Sequence, residues 1–530
     1  MEVPKLFHPF LFSLFPTFYV YSQNMHVLTP TELLLPLLAI SGGTIVGFFV
    51  LGKILKNKIK AALILTLFLV LFFSYGHIYN ILNDFSAEDF DLGRHRYLLI
   101  PFVGILVSGF IYFLKTKRKL DNATKITNVM SAVTMLIISM TVVTNVLDGN
   151  FYGSQTLGSE EKMLGMDSSQ EFNLDDLSPY PSSKSIIEIQ NMPRDNNLPD
   201  IYYIITDEYG SGQSLKEFFN YDNSDFVSYL KHKGFFVNEK SFANYPRTIQ
   251  SITSSLNMEY LHGISERVGT DSKNFHVLNE LVSNNKVMSN MKSRDYIIVN
   301  MGSFWGPNMG FAEVDVNLCE FKQINSNSLM NELLLSSMIS YMQERFTEQG
   351  RRDGILCTFD ELYTINEKIH KQKFIFAHIQ LPHSPYIFGP DGEHVTPGIP
   401  LNSSKWDDKE AHIDQIKFAN KKLKILIDKI LESKEKPIII LQGDTGSLFT
   451  GDFNESSIIT IRERLSNLNA IYIPDEKYDS FYDGMTPVNT FRIIENTVFN
   501  GDYLLLKDKA YWSTKDMPLN YEDVTKHLLN

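Results

Sequence analysis

The chain has 530 residues, a formal net charge of −12 and two cysteines. That length is too great for one ordinary domain, and the acidic balance excludes the basic face of a nucleic-acid binder. Cys319 and Cys357 offer no metal spacing and at most one disulfide, so the fold must hold without a disulfide framework.

The first 150 residues differ from the rest. Four long apolar runs occur there: ELLLPLLAISGGTIVGFFVLG (32–52), AALILTLFLVLFFSYGHIYNIL (61–82), YLLIPFVGILVSGFIYFL (97–114) and ITNVMSAVTMLIISMTVVTNVL (126–147). Each approaches or exceeds the ~18–20 residues that cross a bilayer as a helix. An earlier run, LFHPFLFSLFPTFYVYS (6–22), is shorter and holds two prolines. No small-residue cleavage site follows it, so it reads as a first span rather than a signal peptide. The loops at 53–60 and 115–125 are rich in Lys and Arg, whereas 23–31 has neither and 83–97 is mostly acidic. Basic loops stay on the cytoplasmic side, which predicts five spans, an inward N-terminus and everything after residue 150 outside.

Residues 151–198 read as an extracytoplasmic linker. The stretch GSEEKMLGMDSSQEFNLDDLSPYPSSK (158–184) is polar, acidic and serine-rich, with little apolar periodicity. Beyond it the pattern alternates. DIYYIITD (200–207), DYIIVNMGS (295–303), KFIFAHIQ (373–380), PIIILQGD (437–444) and LNAIYIP (468–474) read as strands. Helical spacing falls on 248–261, 275–294, 329–346 and 413–433, and the Met and Leu positions of 329–346 read as core. Continuous apolar strands between helices predict a mixed, mostly parallel α/β sheet covered on both faces. Chemistry in such sheets gathers at the carboxyl ends of the strands, and Asp207, His378 and Asp444 fall at or near those ends.

Asp444 opens an Asp-Thr-Gly-Ser stretch, the signature of an aspartic protease. That enzyme is all-β and needs two aspartates sharing one proton; no second Asp-Thr-Gly or Asp-Ser-Gly is present. Carboxylates and imidazoles from separate strand ends instead suit a divalent metal, and a hydroxyl at a helix start, such as Thr248, is placed to attack phosphorus while the helix amides hold the transferred anion.

Four segments carry a resemblance: YYIITDEYG (202–210), SFANYPRTIQSITSSLNMEYL (241–261), FIFAHIQLPHSPYIFGPDG (374–392) and PIIILQGDTGS (437–447). In kind and order they resemble the sulfatase-like branch of the alkaline phosphatase superfamily. Within it the chain is similar to the membrane-anchored lipoteichoic acid synthases and phosphoethanolamine transferases. The resemblance implies a transmembrane helical bundle of about five helices over 1–150, a sulfatase-like catalytic domain over 199–510 and a C-terminal tail over 511–530. It implies Asp207 and Asp444 as metal ligands, Glu208 as a possible further one, and Thr248 as nucleophile and metal-facing hydroxyl. His383 matches a histidine that contacts the substrate's anionic group, with His378 a second candidate. The implied substrate is an anionic lipid-linked or cell-surface glycan or lipid carrying phospho-groups, met at the membrane bilayer.

Two departures matter. Sulfatases place a Cys or Ser in Cys/Ser-x-Pro-x-Arg where YPRTIQS stands, which sets a sulfuric ester hydrolase below a phospho-group transferase. The family pattern has histidine directly after the second aspartate, where Thr445 stands. The remaining donors Asp207, Thr248 and Asp444 are all oxygen, a set better suited to Mg²⁺, Mn²⁺ or Ca²⁺ than to Zn²⁺. Thr445 also leaves open a degenerate member that binds a polymer or partner without turnover. Plainer roles compete: caps or turns for the aspartates, an N-cap for Thr248, a core position for His378, and, for Arg462 and Arg464, surface ion pairing rather than binding of an anionic substrate.

Overall fold

The structure is a computed structural model that describes residues 5–25, 28–84, 95–147, 194, 198–273, 275–308, 314–319, 327–396, 407–454 and 457–528. Almost all of the linker at 151–198 lies outside the described residues. The chain divides into two compact units. One comprises Met1–Ser168, Lys322–Glu348 and Ile399–Ser403; the other comprises Ser169–Phe321, Gln349–Gly398 and Ser404–Asn530.

The first unit is built on five helices: α1 (His8–Gln23), α2 (Leu34–Leu55), α3 (Lys58–Asp84), α4 (His95–Lys115) and α5 (Asp121–Leu147). Four stretches, Pro30–Leu55, Lys58–Leu82, Tyr97–Lys115 and Asp121–Leu147, are long and apolar enough to cross a membrane. Their outward side chains are large and apolar, with Ile100 72 % and Leu136 62 % exposed, as a lipid-facing surface requires. Helix α1 has 16 residues, about 24 Å at 1.5 Å per residue, against a hydrocarbon core of about 30 Å. It packs against α2, α3 and α5 and buries a polar face on them. His8 Nδ1 lies 2.6 Å from Thr66 Oγ1, and the His8 N–H donates to Asn128 Oδ1 at 3.1 Å.

One expectation fails here. Residues 329–346 are not a single helix in the α/β core. A short helix, Ser328–Leu335, ends in a turn and a long one, Ser340–Lys368, begins after it. Leu329 and Leu333 pack on Val20, Tyr21, Met25 and Leu28 among the apolar helices. The stretch 275–294 is likewise two helices, His276–Ser283 and Lys286–Ser293, because Asn285 caps the second by accepting the Met288 N–H at 2.8 Å.

The second unit is α/β. Its seven-stranded sheet has the order β2-β7-β6-β1-β5-β3-β4. The strands are β1 (Ile201–Thr206), β2 (Phe236–Val237), β3 (Ile297–Met301), β4 (Val316–Leu318), β5 (Lys373–Ile379), β6 (Ile438–Gly443) and β7 (Asn469–Tyr472). β6, β1, β5, β3 and β4 run parallel, while β7 and β2 pair antiparallel at one edge. Alternate residues of the central strands serve opposite faces. Tyr202, Ile204, Ile375, Ala377, Ile439 and Leu441 pack toward one core, which also takes Phe359 and Leu362 from Ser340–Lys368 and Leu423 and Leu426 from Lys409–Leu431. Tyr203, Ile205, Phe374, Phe376, Ile438 and Ile440 pack toward the other, with Ile252 and Leu256 of Thr248–Asn257 and Phe491 and Ile494 of Pro487–Phe499. Both faces are covered, which is why the strands read as unbroken apolar runs. Cys319 and Cys357 form a disulfide within this unit. The last residues form a small hairpin, β8 (Tyr511–Trp512) with β9 (Glu522–Asp523), and Trp512 and Val524 join a satellite core with Phe242 and Leu465.

Candidate metal and phosphoryl site

Strands β6, β1 and β5 are neighbours in the centre of the sheet, and each delivers one polar side chain at its carboxyl end. Asp444 follows β6, Asp207 follows β1 and His378 is the penultimate residue of β5. All three are buried, and one donor atom from each lies within 4.8 Å of the other two. His378 Nε2 stands 3.4 Å from Asp207 Oδ2, with the Trp305 ring edge-on at 4.9 Å between centroids.

The carboxylates are oriented by the backbone. Asp444 Oδ1 accepts the N–H of Glu208 at 2.9 Å and of Thr445 at 2.7 Å. Glu208 adopts φ +61°, the left-handed region that a non-glycine residue enters at a cost, and the bond from its N–H to Asp444 helps hold that conformation. Asp207 Oδ1, Asp444 Oδ2, both His378 ring nitrogens and Thr445 Oγ1 are buried without a hydrogen-bond partner among the described residues. Buried polar atoms are rarely left so, and Asp207, His378 and Asp444, which each carry such an atom and bring donor atoms within 4.8 Å of one another, fit a metal ion. The set of two carboxylates and an imidazole differs from the all-oxygen set implied by the sequence, because His378 projects from β5 into the same space.

Electrostatics separate the two aspartates. Burial raises the Asp207 carboxyl, but His383, His378 and Arg464 outweigh it and hold the group below the ordinary range. Asp444 is pushed up by its burial first and by the charge of Asp207 second. Thr248, the first residue of the helix Thr248–Asn257, stands beside Asp444 and favours its ionised form. Ser251, one turn on, donates to the Asp444 carbonyl at 2.7 Å and ties that helix to the end of β6.

Glu208 and His383 form a second layer. The His383 N–H donates to the Asp207 carbonyl at 3.1 Å, and His383 Nε2 lies 3.8 Å from Glu208 Oε1. Burial lowers the His383 pKa, yet Glu208, Asp207 and the Ser384 carbonyl outweigh it, and the net shift is upward. The Glu208 carboxylate is not in the cluster with Asp207, His378 and Asp444; it accepts from Arg464 Nη1 at 2.6 Å.

Arg464 corrects the surface reading. It is buried, donating also to the carbonyls of Pro246 at 2.7 Å and Gly446 at 2.8 Å. It thus joins Glu208, the Thr248 loop and the loop after β6. Arg462, two residues away, is half-buried and pairs with Glu217. The loop after β6 is further fixed by buried Glu463, which accepts from Ser447 Oγ at 2.7 Å and from the Phe449 and Thr450 amides at 2.8 Å each. Gly446 is obligatory there, since a Cβ would meet the Glu463 carbonyl oxygen at 2.2 Å. Glu463 did not stand out in sequence, and Arg464 did so only as a surface cation; both lie on a short amphipathic helix, Ile458–Leu465, whose inner face only the fold reveals.

No protein-family model and no curated protein matches this sequence. Among solved structures, the chain is similar to the C-terminal periplasmic domain of EcEptC from Escherichia coli in complex with zinc, at 9 % identity and a TM-score of 0.42, over 63 % of this chain and 95 % of that one. It is also similar to the phosphonate monoester hydrolase of Agrobacterium radiobacter, at 10 % identity and a TM-score of 0.37, over 59 % and 80 %. The chain is also similar to the integral membrane protein lipooligosaccharide phosphoethanolamine transferase A (EptA) from Neisseria meningitidis, at 12 % identity and a TM-score of 0.36, over 93 % of this chain and 95 % of that one.

Proposed function

We propose that this chain is a membrane-anchored, sulfatase-like phospho-group transferase or hydrolase of the alkaline phosphatase superfamily, acting outside the cytoplasm on lipid-linked or cell-surface glycans or lipids. The observation that carries the reading is the buried group Asp207, His378 and Asp444 with the Thr248 hydroxyl at a helix start beside it. The two basic loops support the outward placement. They fix α2–α5, so the side of the α/β unit does not depend on whether α1 spans. A disulfide between Cys319 and Cys357 also suits an oxidising compartment.

Asp207, His378 and Asp444 would hold a divalent ion, and the mixed oxygen and nitrogen set favours Zn²⁺ or Mn²⁺ over Mg²⁺ or Ca²⁺. A bound ion supplies Lewis acidity, favouring an alkoxide beside it and offsetting charge on a phosphoryl oxygen. Thr248 Oγ1 attacks phosphorus and becomes phosphorylated, while the free amides at the start of Thr248–Asn257 face the transferred anion. His383, its pKa raised by Glu208 and Asp207, carries the proton that the leaving oxygen takes up. Arg464 positions Glu208 and the Thr248 loop without reaching the reacting atoms. In the purified full-length chain, Thr248→Ala lowers phosphodiester turnover by ~10³-fold or more. Turnover at the wild-type rate would sink the mechanism.

A second reading, a binding protein without turnover, is favoured by Thr445, whose buried hydroxyl stands where the family places a histidine ligand. Stoichiometric Zn²⁺ or Mn²⁺ kept through dialysis counts against it.

A further inference from the structure

The segment 336–338 folds against the backbone of α3. The Gly76 N–H donates to the Ser336 carbonyl at 2.9 Å, and the Met338 N–H donates to the Phe72 carbonyl at 2.9 Å. Phe72 C=O and Gly76 N–H are the pair that an α-helix joins to each other, so the segment binds both groups of one helical rung. Only glycine permits this approach: a Cβ at position 76 would stand 2.6 Å from the Ser336 Cα.

Beside this crossing lies a cavity of about 320 Å³, bounded by α1, α3 and Ser336.

Packed interiors leave few voids larger than a water molecule, and this volume falls within the ~300–1,000 Å³ of ligand pockets. Its lining is graded. Phe15, Leu69 and Phe73 form an apolar end, and Tyr19, His77 and Ser336 form a polar one, where Tyr19 meets His77 edge-on at 5.3 Å. At 1.5 Å per residue from Lys58, Leu69 lies roughly 16 Å along α3 and His77 roughly 28 Å. With the basic loop 53–60 inside, the cavity runs from about mid-bilayer to the outer interface of a ~30 Å hydrocarbon core.

We propose that this cavity binds one outer-leaflet glycerophospholipid, with an acyl chain between α1 and α3 and its polar end at Tyr19, His77 and Ser336. The surroundings of these helices are lipid, and the change from rings and aliphatic groups to polar groups along α3 matches the change from tail to headgroup. The site does not depend on the reading of Asp207, His378 and Asp444.

The test uses the full-length chain in phosphatidylcholine nanodiscs containing a phosphatidylcholine with a diazirine near the end of one acyl chain. Photo-crosslinks are mapped by peptide mass spectrometry. The expected result is labelling concentrated on 12–20 and 69–77. Ser74→Trp, which fills the cavity, lowers that labelling about tenfold, the loss of roughly two buried methylenes. Val129→Trp, at an exposed position of α5, leaves it unchanged. Labelling spread evenly over α2, α4 and α5, or undiminished in Ser74→Trp, overturns the proposal. Should Ser74→Trp fail to fold, the wild-type map decides alone.

Discussion

Replacing Asp444 with asparagine separates electrostatics from packing at the site. Burial and the Asp207 charge push the Asp444 carboxyl up to about 6 from 3.8. At roughly 1.4 kcal/mol per pH unit, ionised Asp444 costs the metal-free fold on the order of 3 kcal/mol. Asparagine keeps an oxygen to accept from Glu208 and Thr445 and removes the charge. In chelator-treated full-length protein, Asp444→Asn therefore raises the apparent Tm of the α/β unit by several degrees at pH 8. The sign follows from the raised pKa. The wild type loses stability as pH rises from the ordinary carboxylate range to about 6, and is level above it, so the variant's gain is absent near pH 4, grows to pH 6 and stays constant beyond. Asp207→Asn acts oppositely, because His383, His378 and Arg464 favour the Asp207 charge. Thermal unfolding of both variants from pH 4 to 8 measures this. A Tm at pH 8 lowered as far by Asp444→Asn as by Asp207→Asn would refute the reasoning.

Three further outcomes are expected. Metal affinity falls as pH drops below about 6, since both carboxylates must be ionised to bind; titration with Zn²⁺ or Mn²⁺ at pH 5 and 8 checks it. His378→Ala weakens metal binding by on the order of 100-fold or more, measured by competition with a chelating dye, whereas a packing role alone would leave affinity intact. Gly446→Ala forces its Cβ onto the carbonyl oxygens of Glu463 and Ser466, at 2.2 and 2.5 Å, and destabilises the α/β unit by ~1–3 kcal/mol, read from thermal unfolding.

Much of this protein is legible in its sequence because the signals are local. Runs of 18 or more apolar residues can be satisfied only by membrane helices, and buried parallel strands must be apolar on both faces. Asp207 and Asp444 are legible for the same reason: a carboxylate that ends such a strand lies where α/β sheets place their ligands. Strand order is not local. Only the tertiary structure sets β6, β1 and β5 side by side, and that order brings His378 to the two aspartates. Arg464 looked like a surface cation because charge pattern reports exposure only on average; its burial depends on three loops meeting around it. Residues 329–346 show the limit most clearly. Their spacing marked an apolar helix but carried no information about its partner, and the fold gave Leu329 and Leu333 to the membrane helices rather than to the sheet. Sequence determined which segments must be buried; the pairing of those segments, a property of the whole chain, decided what each buried side chain meets.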